Sequence, residues 1–334
     1  MRRLYQVGSR RVRHPGGCRR RHPDSPPVAY AVTAMRIAIT GGTGFVGSHL
    51  ASHLAEQGHE LIVIARGRRS SGSGGPAGTT ATADVVSGAG LVEAFAGCDA
   101  VINLVAVIVE RGGQTFDAVN REGAANVARA AVDAGVAHLV QLSALGADPD
   151  PRFGYLASKW SGEQAIRISG APHTIIRSSL VFGPGDGFFV KLASLIRHTP
   201  PFFPLPIAGD GRTLFQPIAV QDVARCIAIA LERGPDARVL AIGGPDHLSY
   251  EQIVDIIQRE VVSLPRIKVH VPVPVVRPVA AVMAAVMRDP LVTPAQLDLL
   301  GHHNITVPGA VAAGFGFEPQ HFADRTAYLR RHGR

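Results

Sequence analysis

Tyr155 and Lys159 stand four residues apart in the segment "FGYLASKWSGE". Four residues is about one helical turn, so on a helix both side chains share a face. A phenol alone titrates too high to act as a base near neutrality. A neighbouring ammonium, together with a positively charged nicotinamide ring, would favour the phenolate and lower that pKa. Tyr155 could then pass a proton to or from a substrate oxygen while a hydride moves to or from a cofactor. The alternative is a helix that merely carries both residues, so the surrounding elements have to decide.

A second constellation is Gly41, Gly44 and Gly47 in "TGGTGFVG". Glycines there allow a tight turn and let a diphosphate approach the free amides of a helix N-terminus. Arg66 lies nineteen residues after Gly47, with Arg68 and Arg69 close behind. A carboxylate at this place would suit the ribose hydroxyl of NAD, whereas guanidinium groups suit a 2′-phosphate. NADP(H) is therefore favoured, with NAD(H) as the alternative.

The elements needed to position these groups are legible. Arg36–Thr40 reads as a buried strand, Gly41–Gly47 as a glycine turn, Phe45–Gln57 as a helix and Leu61–Ala65 as a second strand. That is one βαβ unit. Residues 67–78 have loop composition, and "TTATADVV" is a weak third strand. A short helix at Gly90–Gly97, a strand at Ala100–Val105 and a long helix at Phe116–Ala134 follow. The fifth strand is "AHLVQLSA", then a helix at Tyr155–Ser169, and the sixth strand is "HTIIRSSLVF". This order predicts an α/β fold, a doubly wound parallel sheet with helices on both faces. The dinucleotide-binding domain is expected at 35–183, and residues 184–334 form a smaller, mostly helical substrate-binding part. Within the latter, the helix "VQDVARCIAIALERG" and strand "RVLAIGG" (216–244) are expected to return to the first sheet.

Composition bounds the remaining possibilities. The chain has 334 residues, a net charge of +8 and three cysteines without close spacing. Cys18, Cys98 and Cys226 argue against a disulfide framework or a zinc site and fit a reducing compartment. Residues 1–34 carry eight Arg and one Asp, so nearly all the net charge lies there and the rest is close to neutral. A nucleic-acid partner would rest on that segment alone. The segment reads as a disordered basic extension, or as the product of a start assigned upstream of Met35. No apolar run is long enough to span a bilayer. Asp222 reads as a helix-start dipole or capping residue, Arg177 as structural, and His302–His303 as exposed. His49 and His53 lie one helical turn apart, but Leu50 stands where a zinc-protease motif has Glu, so no metal site is expected.

The motifs "TGGTGFVG", "INLVA", "VNREGAANVARAA", "LVQLSALGAD", "YLASK", "IIRSSLVFGPGD", "QPIAVQDVA" and "VLAIGG" occur in this order over residues 35 to about 325. In combination the chain resembles the short-chain dehydrogenase/reductases, extended or atypical branch. It looks most like the subgroup with the NAD(P)-binding accessory subunit of respiratory complex I and its bacterial relatives. The resemblance implies a Rossmann domain and a catalytic pair at Tyr155 and Lys159. It implies cofactor contacts at Gly41, Thr43, Gly44, Phe45, Val46, Gly47, Arg66, Asp84, Val85, Leu104, Val105 and Ala106, with Asn120 on the central helix. The family's catalytic Ser or Thr falls on Ser143, or in another alignment on Ala144. Three functions follow from the likeness. One is an oxidoreductase or epimerase-like enzyme on a small or lipid-like carbonyl or hydroxyl compound. Another is a nucleotide-binding accessory protein of a respiratory complex or quinone metabolism. The third is a sugar-nucleotide epimerase, a class that prefers an acidic residue where Arg66 stands. The implied setting is cytoplasmic, with peripheral association at the inner membrane.

Overall fold

The computed structural model describes residues 33–67, 78–200, 202–262, 264, 266–287, 290 and 292–330. The basic segment 1–32, with Cys18, lies outside the described residues, and so do Arg68 and Arg69. The chain runs β1 (Arg36–Thr40), α1 (Phe45–Glu56), β2 (Glu60–Ala65), β3 (Thr79–Thr82), α2 (Leu91–Phe95) and β4 (Ala100–Asn103). A π-helical turn (Asp117–Glu122) leads into α3 (Gly123–Asp133), followed by β5 (His138–Ala144), α4 (Gly154–Ile168) and β6 (His173–Ser178). Next come β7 (Val181–Phe182), α5 (Phe189–His198), β8 (Leu205–Ala208), β9 (Leu214–Phe215), β10 (Ile218–Ala219), α6 (Val220–Arg233) and β11 (Val239–Ile242). The remainder is β12 (Leu248–Ser249), α7 (Tyr250–Val261), β13 (Lys268–Val271), α8 (Val273–Val286), α9 (Pro294–Leu299), α10 (Ala310–Phe315) and 3₁₀ turns at Ala323–Arg330.

Seven strands make one parallel sheet in the order β11-β6-β5-β4-β1-β2-β3. The central strands are unbroken runs of buried apolar residues, such as Ile37–Ile39 and Leu61–Ile64, as burial on both faces demands. One face packs α1 and α6 through Leu50, Leu54, Val223 and Ile227. The other packs α2, α3 and α4 through Leu91, Phe95, Val127 and Ile166. The order reverses between β1 and β4, and in such sheets dinucleotides bind across that crevice at the strand C-termini.

Two expected strands stop early for visible reasons. β4 ends at Asn103 because its own Oδ1 accepts the Val105 amide at 3.3 Å, while the Leu104 amide bonds Thr40 O at 3.1 Å. The sixth strand breaks after Ser178, and Val181–Phe182 pairs with β10 instead. Three aromatic rings then tie the later part of the chain together. Phe182, Phe189 and Phe322 are fully buried with ring centroids 4.9 to 6.2 Å apart. Truncating one such ring costs about 3–5 kcal/mol, which places the cluster among the main supports of this region. The described residues from Ala34 onward belong to one compact unit.

Candidate active site

The glycine turn is shaped as an anion cradle. Gly41 has φ +75°, and its carbonyl accepts the Gly44 amide at 3.0 Å. A Cβ on Gly47 would sit 2.2 Å from Gly41 O, so the first turn of α1 is pressed against the loop in a way only glycine permits. α1 opens at Gly44 with no side-chain cap, which leaves its first amides for an anion. These residues fit a dinucleotide diphosphate. Thr43 is exposed, while Phe45 is half-buried with its ring edge on His49, whose Nε2 lies 2.9 Å from Pro184 O.

The other expected cofactor residues lie at the C-terminal ends of neighbouring strands. Arg66 follows β2, is exposed, and reaches the Gln114 side chain at 2.8 Å when that amide turns its oxygen to the guanidinium. Asp84 follows β3; one carboxylate oxygen accepts the Val86 amide at 3.0 Å, and Val85 is buried. Leu104, Val105 and Ala106 leave β4, and Leu104 and Ala106 line a cavity of about 660 Å³ that also reaches Val46. Tyr155, Lys159, Ser143 and Ala144 line the same cavity. The structure therefore brings the helix start, the β4 end and the Tyr155/Lys159 pair into one space. Arg66, Asp84 and Val85 stand along the same edge of the sheet without lining it.

The Tyr155 and Lys159 side chains are set by α4 lying over the end of β5. Lys159 is almost fully buried and its Nζ donates to Leu142 O at 2.8 Å. Tyr155 is half-buried, and its hydroxyl has no hydrogen-bond partner among the described residues. From the sequence, the Lys159 ammonium together with a nicotinamide ring is expected to lower the Tyr155 phenol. In the protein by itself burial dominates instead. It pushes Tyr155 up to about 12 and Lys159 down to about 8, the Glu163 carboxylate opposing the latter.

Ser143 is buried and its Oγ donates to Glu163 Oε1 at 2.6 Å. Glu163 sits one turn after Lys159 and is also held by Arg177 of β6, with Nε to Oε1 at 2.8 Å and Nη2 to Oε2 at 2.7 Å. Asn120 lies in the π-helical turn. Its Oδ1 accepts the Val107 amide at 2.9 Å and its Nδ2 donates to Ser158 Oγ at 2.9 Å, whose own proton goes to Tyr155 O.

Several participants escape a reading of the sequence. Thr40 Oγ1 donates to Asn103 Oδ1, Asn103 Nδ2 to Gln141 Oε1, and Gln141 Nε2 to Leu142 O, the carbonyl that also holds Lys159. This relay is buried across β1, β4 and β5, so every polar atom in it needs its partner. Glu163 carries a signal in its spacing, since Tyr155, Lys159 and Glu163 repeat at four residues. Asp222 lies in the first turn of α6, where a carboxylate complements the helix dipole, and it also accepts the Gln320 amide at 2.7 Å and Gln320 Nε2 at 3.1 Å, anchoring the C-terminal segment. One expectation is corrected. His302 is half-buried in the cavity wall, its ring centroid 5.2 Å from that of Phe153, whereas His303 is exposed.

Residues 37–243 match the model of the NAD dependent epimerase/dehydratase family. The chain belongs to that family. The match runs from β1 through the last strand of the sheet and so includes the glycine turn, Tyr155 and Lys159. Among curated relatives of this family member is the Arabidopsis thaliana "NADH dehydrogenase [ubiquinone] 1 alpha subcomplex subunit 9, mitochondrial". It is 27% identical over 260 residues, covering 75% of this chain and 64% of that protein. The "Ceramide reductase" of Caulobacter vibrioides is 32% identical over 169 residues, covering 49% of this chain and 52% of its own length. This chain thus spans less than two thirds of either relative. Among solved structures, the dTDP-glucose 4,6-dehydratase DesIV of Streptomyces venezuelae, with NAD and TYD bound, has the same fold. Its TM-score is 0.68 at 21% identity, with 89% of this chain and 96% of that one covered. Among the described residues no helix is long and apolar enough to cross a membrane.

Proposed function

We propose that this family member is an NADP(H)-linked oxidoreductase that interconverts a carbonyl and a hydroxyl group, with Tyr155 as its proton-transfer residue. The observation that carries the reading is the placement of Tyr155 and Lys159 in the cavity that Val46 and Leu104 also line. The cofactor would supply or take the hydride. The chain's own residues do the rest. The amides opening α1 hold the diphosphate, Arg66 takes the 2′-phosphate, and Asp84 with Val85 borders the adenine side. Leu104–Ala106 walls the nicotinamide pocket. Burial keeps the Tyr155 phenol protonated at neutral pH, so it is ready to give its proton to the substrate oxygen in the reducing direction. In the oxidising direction the same oxygen takes that proton back. The Ser143 hydroxyl donates its hydrogen bond to Glu163, so Ser143 acts as a positioning residue that ties the end of β5 to the helix carrying Tyr155.

The test is NADPH oxidation with carbonyl substrates in wild type and Tyr155→Phe. Turnover should fall by about 10²- to 10⁴-fold in the variant while NADPH affinity stays within about threefold. Equal turnover in the variant would remove Tyr155 from the mechanism.

A second reading draws on the likeness to the Arabidopsis complex subunit: a nucleotide-binding accessory protein of a respiratory complex, peripheral to the inner membrane, with no turnover. Co-purification with a membrane complex, together with a bound cofactor that no carbonyl oxidises, would favour it.

A further inference from the structure

Beyond the Tyr155 pair, the cavity is walled by the later part of the chain, and the chemistry of that wall selects a ligand. Most of its polar side chains already serve the chain itself. Lys191 Nζ donates to Pro290 O at 3.0 Å, and Ser179 Oγ donates to Gln216 O. Asn304 accepts the Leu180 amide at 2.9 Å and donates to Leu145 O at 3.2 Å. Thr293 and Gln296 form a reciprocal capping box at the start of α9. Ser178 Oγ donates to Ser143 O at 3.4 Å. Among the described lining residues, Tyr155, Arg111 and His302 are the polar side chains that make no hydrogen bond within the chain, and Arg111 is exposed. The rest of the wall is apolar, with Ile108, Leu156, Leu180, Phe188, Phe215 and Leu299 prominent.

A sugar nucleotide brings a diphosphate and a ring of hydroxyls. In this wall few groups would receive them, and each hydroxyl buried without a partner lowers affinity about tenfold or more. An aliphatic chain meets the opposite situation, because every methylene covered by the wall leaves water. The volume is in the range of pockets that enclose a drug-sized ligand.

We propose that the cavity takes an aliphatic carbonyl compound, or the matching secondary alcohol, whose single oxygen meets Tyr155 and whose chain lies against Leu180, Phe188, Phe215 and Leu299. The inference rests on Tyr155 as the proton-transfer residue only for where the oxygen sits. Selection by the wall holds whether or not turnover follows.

The experiment is a homologous series of 2-alkanones from butanone to dodecanone, read by calorimetric Kd and by kcat/KM in the presence of NADPH, with UDP-glucose as comparator. Kd should fall about fourfold for each added methylene until the wall is covered. Dodecanone should bind more tightly than UDP-glucose. A flat series, or UDP-glucose binding more tightly than dodecanone, overturns the inference. A chain-length slope without NADPH oxidation in wild type supports the inference and sinks the redox reading. Turnover with a flat series does the reverse. Ile108 is 49% exposed where it borders the cavity, so Ile108→Asp leaves the fold intact. It should weaken dodecanone binding about tenfold with butanone unchanged, and equal effects on both ligands count against the inference.

Discussion

The Ser143 hydroxyl and the Glu163 carboxylate are joined by a 2.6 Å hydrogen bond, buried between the end of β5 and the middle of α4. The bond fixes where the serine proton is. It also joins the strand carrying Leu142 O to the helix carrying Tyr155 and Lys159, with Arg177 of β6 clamping the same carboxylate. The placement of the Tyr155 phenol over the floor of the cavity is therefore held by a buried charge cluster.

Ser143→Ala should separate positioning from direct catalysis. Losing the donor leaves Glu163 with one partner fewer, a stability loss of about 1–3 kcal/mol in urea unfolding. For a positioning residue kcat/KM should fall less than about tenfold. A fall of about 10²- to 10³-fold with unchanged stability would instead make Ser143 a donor to the substrate oxygen.

Gly47→Ala tests the cradle. The added methyl would meet Gly41 O and Gly42 Cα at 2.2 and 2.5 Å, both backbone atoms that cannot swing away. Overpacking of this kind costs about 1–3 kcal/mol. Both the unfolding midpoint and dinucleotide affinity should drop, the latter read by calorimetry. An unchanged affinity for both cofactors would show that the loop does not hold the diphosphate.

Arg66→Ala tests cofactor choice. A charge-assisted hydrogen bond to a 2′-phosphate contributes about 1.5–3 kcal/mol, so NADPH affinity should weaken about 10- to 100-fold. NADH affinity should stay the same, because it has no phosphate there. Equal weakening of both cofactors would assign Arg66 to holding the Gln114 loop instead.

The pH profile follows from Lys159. Burial brings its ammonium down to about 8, so the charged form is present below that pH and is lost above it. If the ammonium supports proton transfer, kcat/KM should decline with unit slope above about pH 8. Glu163 opposes the shift, so Glu163→Gln removes the opposing charge and should move the decline to lower pH. A profile that is flat to pH 10 would take Lys159 out of the chemistry.

The sequence by itself determined the alternating strands and helices, the glycine turn at Gly41–Gly47 and the shared face of Tyr155 and Lys159. Each depends on residues within a turn or two of one another, where backbone geometry alone relates spacing to direction. Tertiary structure decided what those groups touch. Ser143 finds Glu163 twenty residues on, Thr40 finds Asn103 sixty-three residues on, and Leu180 meets Asn304 at a separation of 124. It also sets the direction of the Tyr155 shift in the protein by itself, because the desolvation that raises a phenol comes from neighbours brought in by packing. Periodicity is a property of the local chain, whereas partners, burial and proton affinity belong to whatever the folded topology places alongside.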